Sequence, residues 1–117
     1  MNIESIANYC LSKKGAIEDY PFDEETLVFK VGGKMFVLIS LEKIPLQINL
    51  KCNPEKAIEL RELYENVKPG WHMNKKYWNA VILDGEIRWS ELKGWIDHSY
   101  DEVVKGLTKS KKEKLKI

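Results

Sequence analysis

The chain has 117 residues, 44% of them hydrophobic and 32% charged, and its formal net charge is +1. This length accommodates one domain with a hydrophobic core of its own and leaves no room for a second domain. No segment approaches the roughly 18 apolar residues of a membrane span, and the N-terminal region lacks the apolar run of a signal peptide, so we expect a cytoplasmic protein that does not enter a membrane.

The charges are segregated along the chain. Residues 1–25 hold two lysines against six acids, whereas residues 26–83 hold nine basic residues against five acids. Residues 84–108 are again acidic, with three basic residues against six acids, and the last nine residues are basic. A face that binds anions must therefore be local rather than a property of the whole domain.

The two cysteines predict free thiols. Cys10 and Cys52 lie far apart, and neither has another Cys or a His at the spacing of a metal site. They sit within apolar patterns, which favours reduced side chains in a reducing compartment. We expect neither a bound metal ion nor a cofactor.

The first predicted elements are a helix and an antiparallel strand pair. Asn2 can cap the helix, Gly15 suits its C-terminal end, and an acidic loop at residues 19–25 follows. Alternating apolar residues at 27–31 predict a strand, and Gly32-Gly33 predicts a tight turn into a second strand that starts at Lys34. The helical spacing is carried by Ile3, Ile6, Ala7, Cys10 and Leu11.

The middle of the chain predicts a third strand, a second helix and a further strand. The third strand starts near Pro45 and ends in Lys51, and Asn53-Pro54 then has the form of a helix cap followed by a first helical residue. Ala57, Leu60, Arg61 and Tyr64 share one face of that helix. After the break at residues 68–70, residues 77–83 have the composition of a strand.

The C-terminal region predicts helices and a flexible tail. Ser90 can cap one helix, and Ser99 with Glu102 has the form of a capping box that opens another, although a single kinked helix is an alternative. We expect one domain over residues 1–108 and a basic, flexible tail over residues 109–117. The order of elements predicts an α+β fold: a mostly antiparallel sheet of four to five strands with helices packed on one face.

Several motifs resemble the MmcQ/YjbR family of small bacterial proteins. They are DYPF at residues 19–22, FKVGGKMF at 29–36, NLKCNP at 49–54, PGWHMNKKYWN at 69–79 and SYDEV at 99–103. The resemblance spans nearly all of the chain before the tail. It implies a frataxin-like α+β fold and DNA binding through a double-wing arrangement of hairpins, and it implies no catalytic residues.

Residues 71–79 interleave aromatic rings with amides and lysines and contain no acid. Lysines can contact phosphates, Asn can bind a phosphate or an adenine edge, and an exposed ring can stack on a base. We therefore predict that DNA or another polyanion is the partner. Trp71 and Trp78 can instead be core residues, and the lysines can simply protect strand edges. The candidate anion-binding residues are Lys30, Lys34, Lys51, His72, Asn74, Lys75 and Lys76.

Two other functions are compatible with the sequence. The C-terminal helical face around Trp95 and Tyr100 can dock a partner protein. A pocket near His72, Asn74 and Lys76 can bind a small molecule. His72 has no Cys, Asp or second His beside it, so a metal site is not expected there, and His98 is expected to act as a local cap. Because no nucleophile and base are paired, we expect a binding protein rather than an enzyme.

Overall fold

The structure, a computed structural model, describes residues 1–70 and 73–117. Within these ranges a helix is followed by consecutive strands, a second helix, two more strands and two terminal helices, an α+β order as predicted. The elements are α1 (Ile3–Leu11), β1 (Ile17–Asp19), β2 (Thr26–Val31), β3 (Lys34–Ser40), β4 (Leu46–Lys51), α2 (Pro54–Leu63), β5 (Val67–Pro69), β6 (Trp78–Leu83), α3 (Trp89–Lys105) and α4 (Lys109–Leu115).

The strands form one antiparallel sheet of six strands in the order β1-β2-β3-β4-β6-β5. The predicted antiparallel α+β architecture is therefore confirmed. The sequence analysis did not anticipate β1 and β5, the two edge strands of three residues each. A three-residue strand has too few residues to show an alternating pattern, so its pairing depends on its longer neighbour.

One face of the sheet is covered by helices and holds the main core. Leu27, Phe29 and Val31 of β2 point to this face, and α3 packs across β2, β3 and β4. Ile6 and Cys10 of α1 are fully buried in the same cluster. The opposite face carries a smaller cluster of Val28, Leu38 and Trp78, with Met35 and Met73 packed against it.

A bulge in β3 ties α3 to the sheet. Phe29 pairs with Val37 and Lys30 pairs with Met35, so Phe36 lies between two pairs as an extra residue. Its carbonyl accepts a hydrogen bond of 2.6 Å from the Ser99 hydroxyl, which itself accepts from the backbone N–H of Lys51 at 2.8 Å. Ser99 therefore joins α3 to β3 and β4 from inside one continuous helix. The prediction that it opens a second helix is wrong, and the alternative of a single helix is the one that the structure bears out.

The chain ends in a helix where a flexible tail was predicted. Thr108 caps α4 by accepting from the backbone N–H of Lys111. Leu115 is half-buried and packs against the core next to Gly15. Lys111 donates to the carbonyl of Gly32 at 3.1 Å. A residue with a Cβ at Gly32 would place that atom 2.7 Å from Leu107, so the glycine allows the chain before α4 to approach the β2–β3 turn.

Candidate nucleic-acid interface

Most of the predicted site residues lie at one end of the sheet, which we call the lysine end. Val31 pairs with Lys34, Lys51 with Trp78, and Pro69 with Asn79. Consequently the β2–β3 turn and the connection from β5 to β6 both leave the sheet at this end, with the last residue of β4 between them. The lysine end thus consists of two hairpin ends on either side of Lys51.

A groove of about 410 Å³ opens beside these strand ends. Lys30, Lys34 and Lys51 all line it, so the structure brings these three predicted residues together. Met35 and Trp78 form the apolar part of its wall, and Pro21 and Phe22 reach it from the loop between β1 and β2. The groove combines three cationic side chains with apolar and aromatic surface.

The three lysines differ in their ion pairing. The Lys30 Nζ lies 3.1 Å from a carboxylate oxygen of Asp19, and this hydrogen bond is the main cause of a lowered pKa of Asp19. Lys30 therefore has a carboxylate partner at the end of β1. Within residues 1–70 and 73–117, neither Lys34 nor Lys51 has a carboxylate oxygen within 4.0 Å. These two are the lysines of the groove whose charge is available to an anion.

Asn74, Lys75 and Lys76 occupy the connection that precedes β6, and all three are exposed. The Asn74 side chain accepts from the backbone N–H of Lys76 at 3.0 Å, so it closes a turn. The Lys76 ammonium lies 5.6 Å from the centre of the Tyr77 ring. Of the predicted site, Asn74 thus has a structural role, Lys75 and Lys76 extend the lysine end, and His72 lies outside the described residues.

Arg61 holds this connection in place, and the sequence analysis did not predict that role. Its Nε donates to the side-chain oxygen of Asn79 at 2.6 Å, and its guanidinium also donates to the carbonyls of Lys75 and Trp78. Asn79 is buried and in turn donates to the carbonyl of Ala57 in α2. The sequence does contain a signal for this role, because Arg61 is a charged residue on the otherwise apolar face of α2.

Helix α4 adds further positive charge beside the β2–β3 turn. The contact between Lys111 and Gly32 places the helix directly against that turn, which also carries Lys34. Glu113 provides the acid of this helix. The basic side chains of α4 and of the residue that follows it are Lys109, Lys111, Lys112, Lys114 and Lys116.

The opposite end of the sheet is acidic. Thr26 pairs with Ser40 and Leu46 with Leu83, so the residues before β2, after β3 and after β6 meet there. A hydrogen bond and repulsion between two of these carboxyl groups raise the pKa of Glu25. The acids at this end are Asp23, Glu24, Glu25, Glu42, Asp84 and Glu86.

The proposed docking face on the C-terminal helix is not available. Trp95 packs edge-on against Tyr64, and Tyr100 packs edge-on against Phe36. Both rings belong to the main core and are 9% exposed. The prediction that Trp95 and Tyr100 form a surface for a partner protein is therefore wrong, because helical spacing does not distinguish a core-facing stripe from a docking stripe.

His98 lies inside α3 and not at a helix junction, so the prediction that it acts as a local cap is wrong. Its Nε2 accepts from the backbone N–H of Asn53, the cap residue of α2, at 3.2 Å. Burial is the main cause of a lowered pKa of His98, and the positive charges of Lys56 and Lys105 lower it further. The negative charges of Glu102 and Asp101 oppose this shift. The neutral imidazole is thus the form that the fold uses.

We expect His98 to make folding pH-dependent. Because its pKa is lowered in the folded protein, its contribution to stability is complete above the usual value of 6.5 and is lost as the pH falls through the lowered value. His98→Gln keeps a neutral hydrogen-bond acceptor at this position. Between pH 7.5 and pH 5 the free energy of unfolding of this variant should therefore fall by about 1 kcal/mol less than that of the wild type, which is the net contribution of one hydrogen bond. Urea unfolding at both pH values measures this. Identical pH profiles would contradict it.

Both thiols are buried. Burial is the main cause of raised thiol pKa values, about 12 for Cys10 and about 11 for Cys52.

In the part of the chain that the structure describes, no group of three or more His, Cys, Asp or Glu side chains is placed to hold a metal ion. Nor do residues 1–70 and 73–117 contain a helix long and apolar enough to cross a membrane.

Fold and site together define a small α+β domain with a six-stranded antiparallel sheet and basic hairpin ends. The family model YjbR matches residues 11–102. The chain belongs to the YjbR family.

Relatives and solved structures agree with this assignment. The chain is 42% identical to YbdF of Escherichia coli O157:H7 over 98 residues, which cover 83% of this chain and 80% of that protein. It is 31% identical to YjbR of Escherichia coli K12 over 115 residues, covering 98% of each. Among solved structures, protein DR2400 of Deinococcus radiodurans superposes with a TM-score of 0.93 at 36% identity, with 99% of this chain and 88% of that chain covered.

Proposed function

We propose that this protein is a non-enzymatic binding protein that contacts the phosphate backbone of nucleic acid through its lysine end. The observation that carries the proposal is the placement of Lys34 and Lys51 in one groove between two hairpin ends, two lysines that have no carboxylate partner among the described residues 1–70 and 73–117. Phosphate contacts of this kind give affinity and position without reading sequence. The two hairpin ends also agree with the double-wing arrangement that the family resemblance implies.

The surroundings of the groove support an anionic ligand. Lys75 and Lys76 lie in the second hairpin end, and α4 brings further lysines beside the first. Burial raises the pKa values of the Cys10 and Cys52 thiols, so covalent catalysis by either thiol is disfavoured.

Replacing Lys34 and Lys51 together by glutamine should weaken nucleic-acid binding and reduce its salt dependence. Each lost phosphate contact removes about 0.9 from the slope of log affinity against log salt on a duplex, so two contacts remove about 1.8. Fluorescence anisotropy with labelled 20-residue single strands and duplexes, titrated between 50 and 300 mM salt, measures both quantities.

The control variant combines Lys43→Gln with Arg88→Gln. Lys43 lies between β3 and β4, and Arg88 lies between β6 and α3, so both belong to the acidic end. This variant loses the same amount of positive charge but should retain most of the wild-type affinity and slope. Equal effects of the two double variants would mean that only net charge matters, and the lysine end would no longer be the proposed site.

A further inference from the structure

We propose that the nucleic acid held at the lysine end is single-stranded, with an unpaired base stacked on the ring of Phe22. This inference rests on the proposed function and adds the class of nucleic acid. Phe22 lies in the loop between β1 and β2, and its side chain is 63% exposed. A large aromatic ring that is exposed beside cationic groups forms a surface suited to a partner that offers both a π face and negative charge.

The position of Phe22 relative to the lysines matches single-strand recognition. Phe22 lines the same groove as Lys34 and Lys51, so a strand with one base on the ring would run through the groove that these lysines line. Proteins that bind single strands combine an electropositive groove with aromatic rings on which bases stack. In a duplex the base faces are already covered by neighbouring bases, so an exposed ring would gain little from it.

The rest of the groove fits an aromatic base. Met35 is half-buried and Trp78 is 9% exposed, so they give the groove an apolar wall beside the lysine side chains. The groove of about 410 Å³ is open to solvent, so a base could enter it from the surface. The groove can therefore hold one base, while the strand continues along the hairpin ends.

The test compares a labelled 12-residue oligothymidine, which has no self-pairing, with a labelled 12-base-pair duplex. Phe22→Ala should weaken binding of the oligothymidine about tenfold or more, because stacking of one base on an aromatic ring has that magnitude. It should change duplex binding less than twofold. Phe22→Trp should restore the affinity for the single strand. Ile44→Ala, at a 98% exposed residue of the acidic end, is the control and should change neither affinity.

The outcomes separate this inference from the proposed function. If neither oligonucleotide binds the wild type near physiological salt, the proposed function fails and the inference fails with it. If both bind and Phe22→Ala affects neither, or affects both equally, the single-strand inference is overturned while nucleic-acid binding stands. A loss confined to the single strand and restored by Phe22→Trp supports both.

Discussion

Ser99→Ala should lower the free energy of unfolding by about 2–4 kcal/mol, although alanine favours helices more than serine does. The hydroxyl is fully buried and makes two hydrogen bonds, one to the Phe36 carbonyl and one from the Lys51 N–H. A buried polar group that loses its partner costs about 1–3 kcal/mol. Ser99→Ala leaves two such groups, the Phe36 carbonyl and the Lys51 N–H. Urea unfolding followed by tryptophan fluorescence gives the difference as a shift of the midpoint.

The matched control for this change is Ser90→Ala in the same helix. Ser90 is exposed in the first turn of α3, so its replacement should alter stability by less than about 0.5 kcal/mol. If the free energy of unfolding of Ser99→Ala differs from that of the wild type by less than this same amount, Ser99 does not anchor the helix to the bulge in β3. The main contact between α3 and the sheet would then be apolar packing alone.

Arg61→Ala should cost about 2–3 kcal/mol and loosen the connection before β6. The guanidinium holds the buried Asn79 side chain and the carbonyls of Lys75 and Trp78, and hydrogen bonds to charged groups contribute about 1.5–3 kcal/mol. Without it, Asn79 keeps its bond to the Ala57 carbonyl but loses the partner of its own oxygen. Urea unfolding measures the global loss.

Hydrogen exchange and proteolysis separate the local effect of this change from the global one. Amide exchange at residues 75–79 should accelerate more than exchange in β2 and β3, and trypsin should cut faster after Lys75 and Lys76. The control is Glu62→Ala, an exposed neighbour in α2. Uniform acceleration over the whole sheet would contradict a specific role of Arg61 in fixing this segment.

Local sequence signals predicted several elements well. Asn2 caps α1, Asn53-Pro54 starts α2, and Gly32-Gly33 forms the turn between β2 and β3, all as expected. In each case the signal and its structural consequence lie within a few residues of each other. The predicted family membership is confirmed by the match to the YjbR model.

Features that depend on distant contacts were not predictable. Helix α4 is stabilised by contacts of Lys111 with Gly32 and of Leu115 with the region of Gly15, which a local reading of its charged sequence does not include. Likewise, the spacing of the lysines could not reveal that Lys30 is paired with Asp19 while Lys51 has no carboxylate partner in the described part of the chain. Pairing of charges is set by the register of neighbouring strands rather than by sequence separation.

The separation of the lysine end from the acidic end gives this nearly neutral protein a dipole moment along its strands. A net charge of +1 predicts little long-range attraction to a polyanion, but the electric field of a polyanion exerts a torque on a protein that has a dipole moment. The molecule would turn its hairpin ends toward the polyanion before contact, and its acidic end would face away. Orientation during approach, rather than total charge, would then determine how often an encounter is productive.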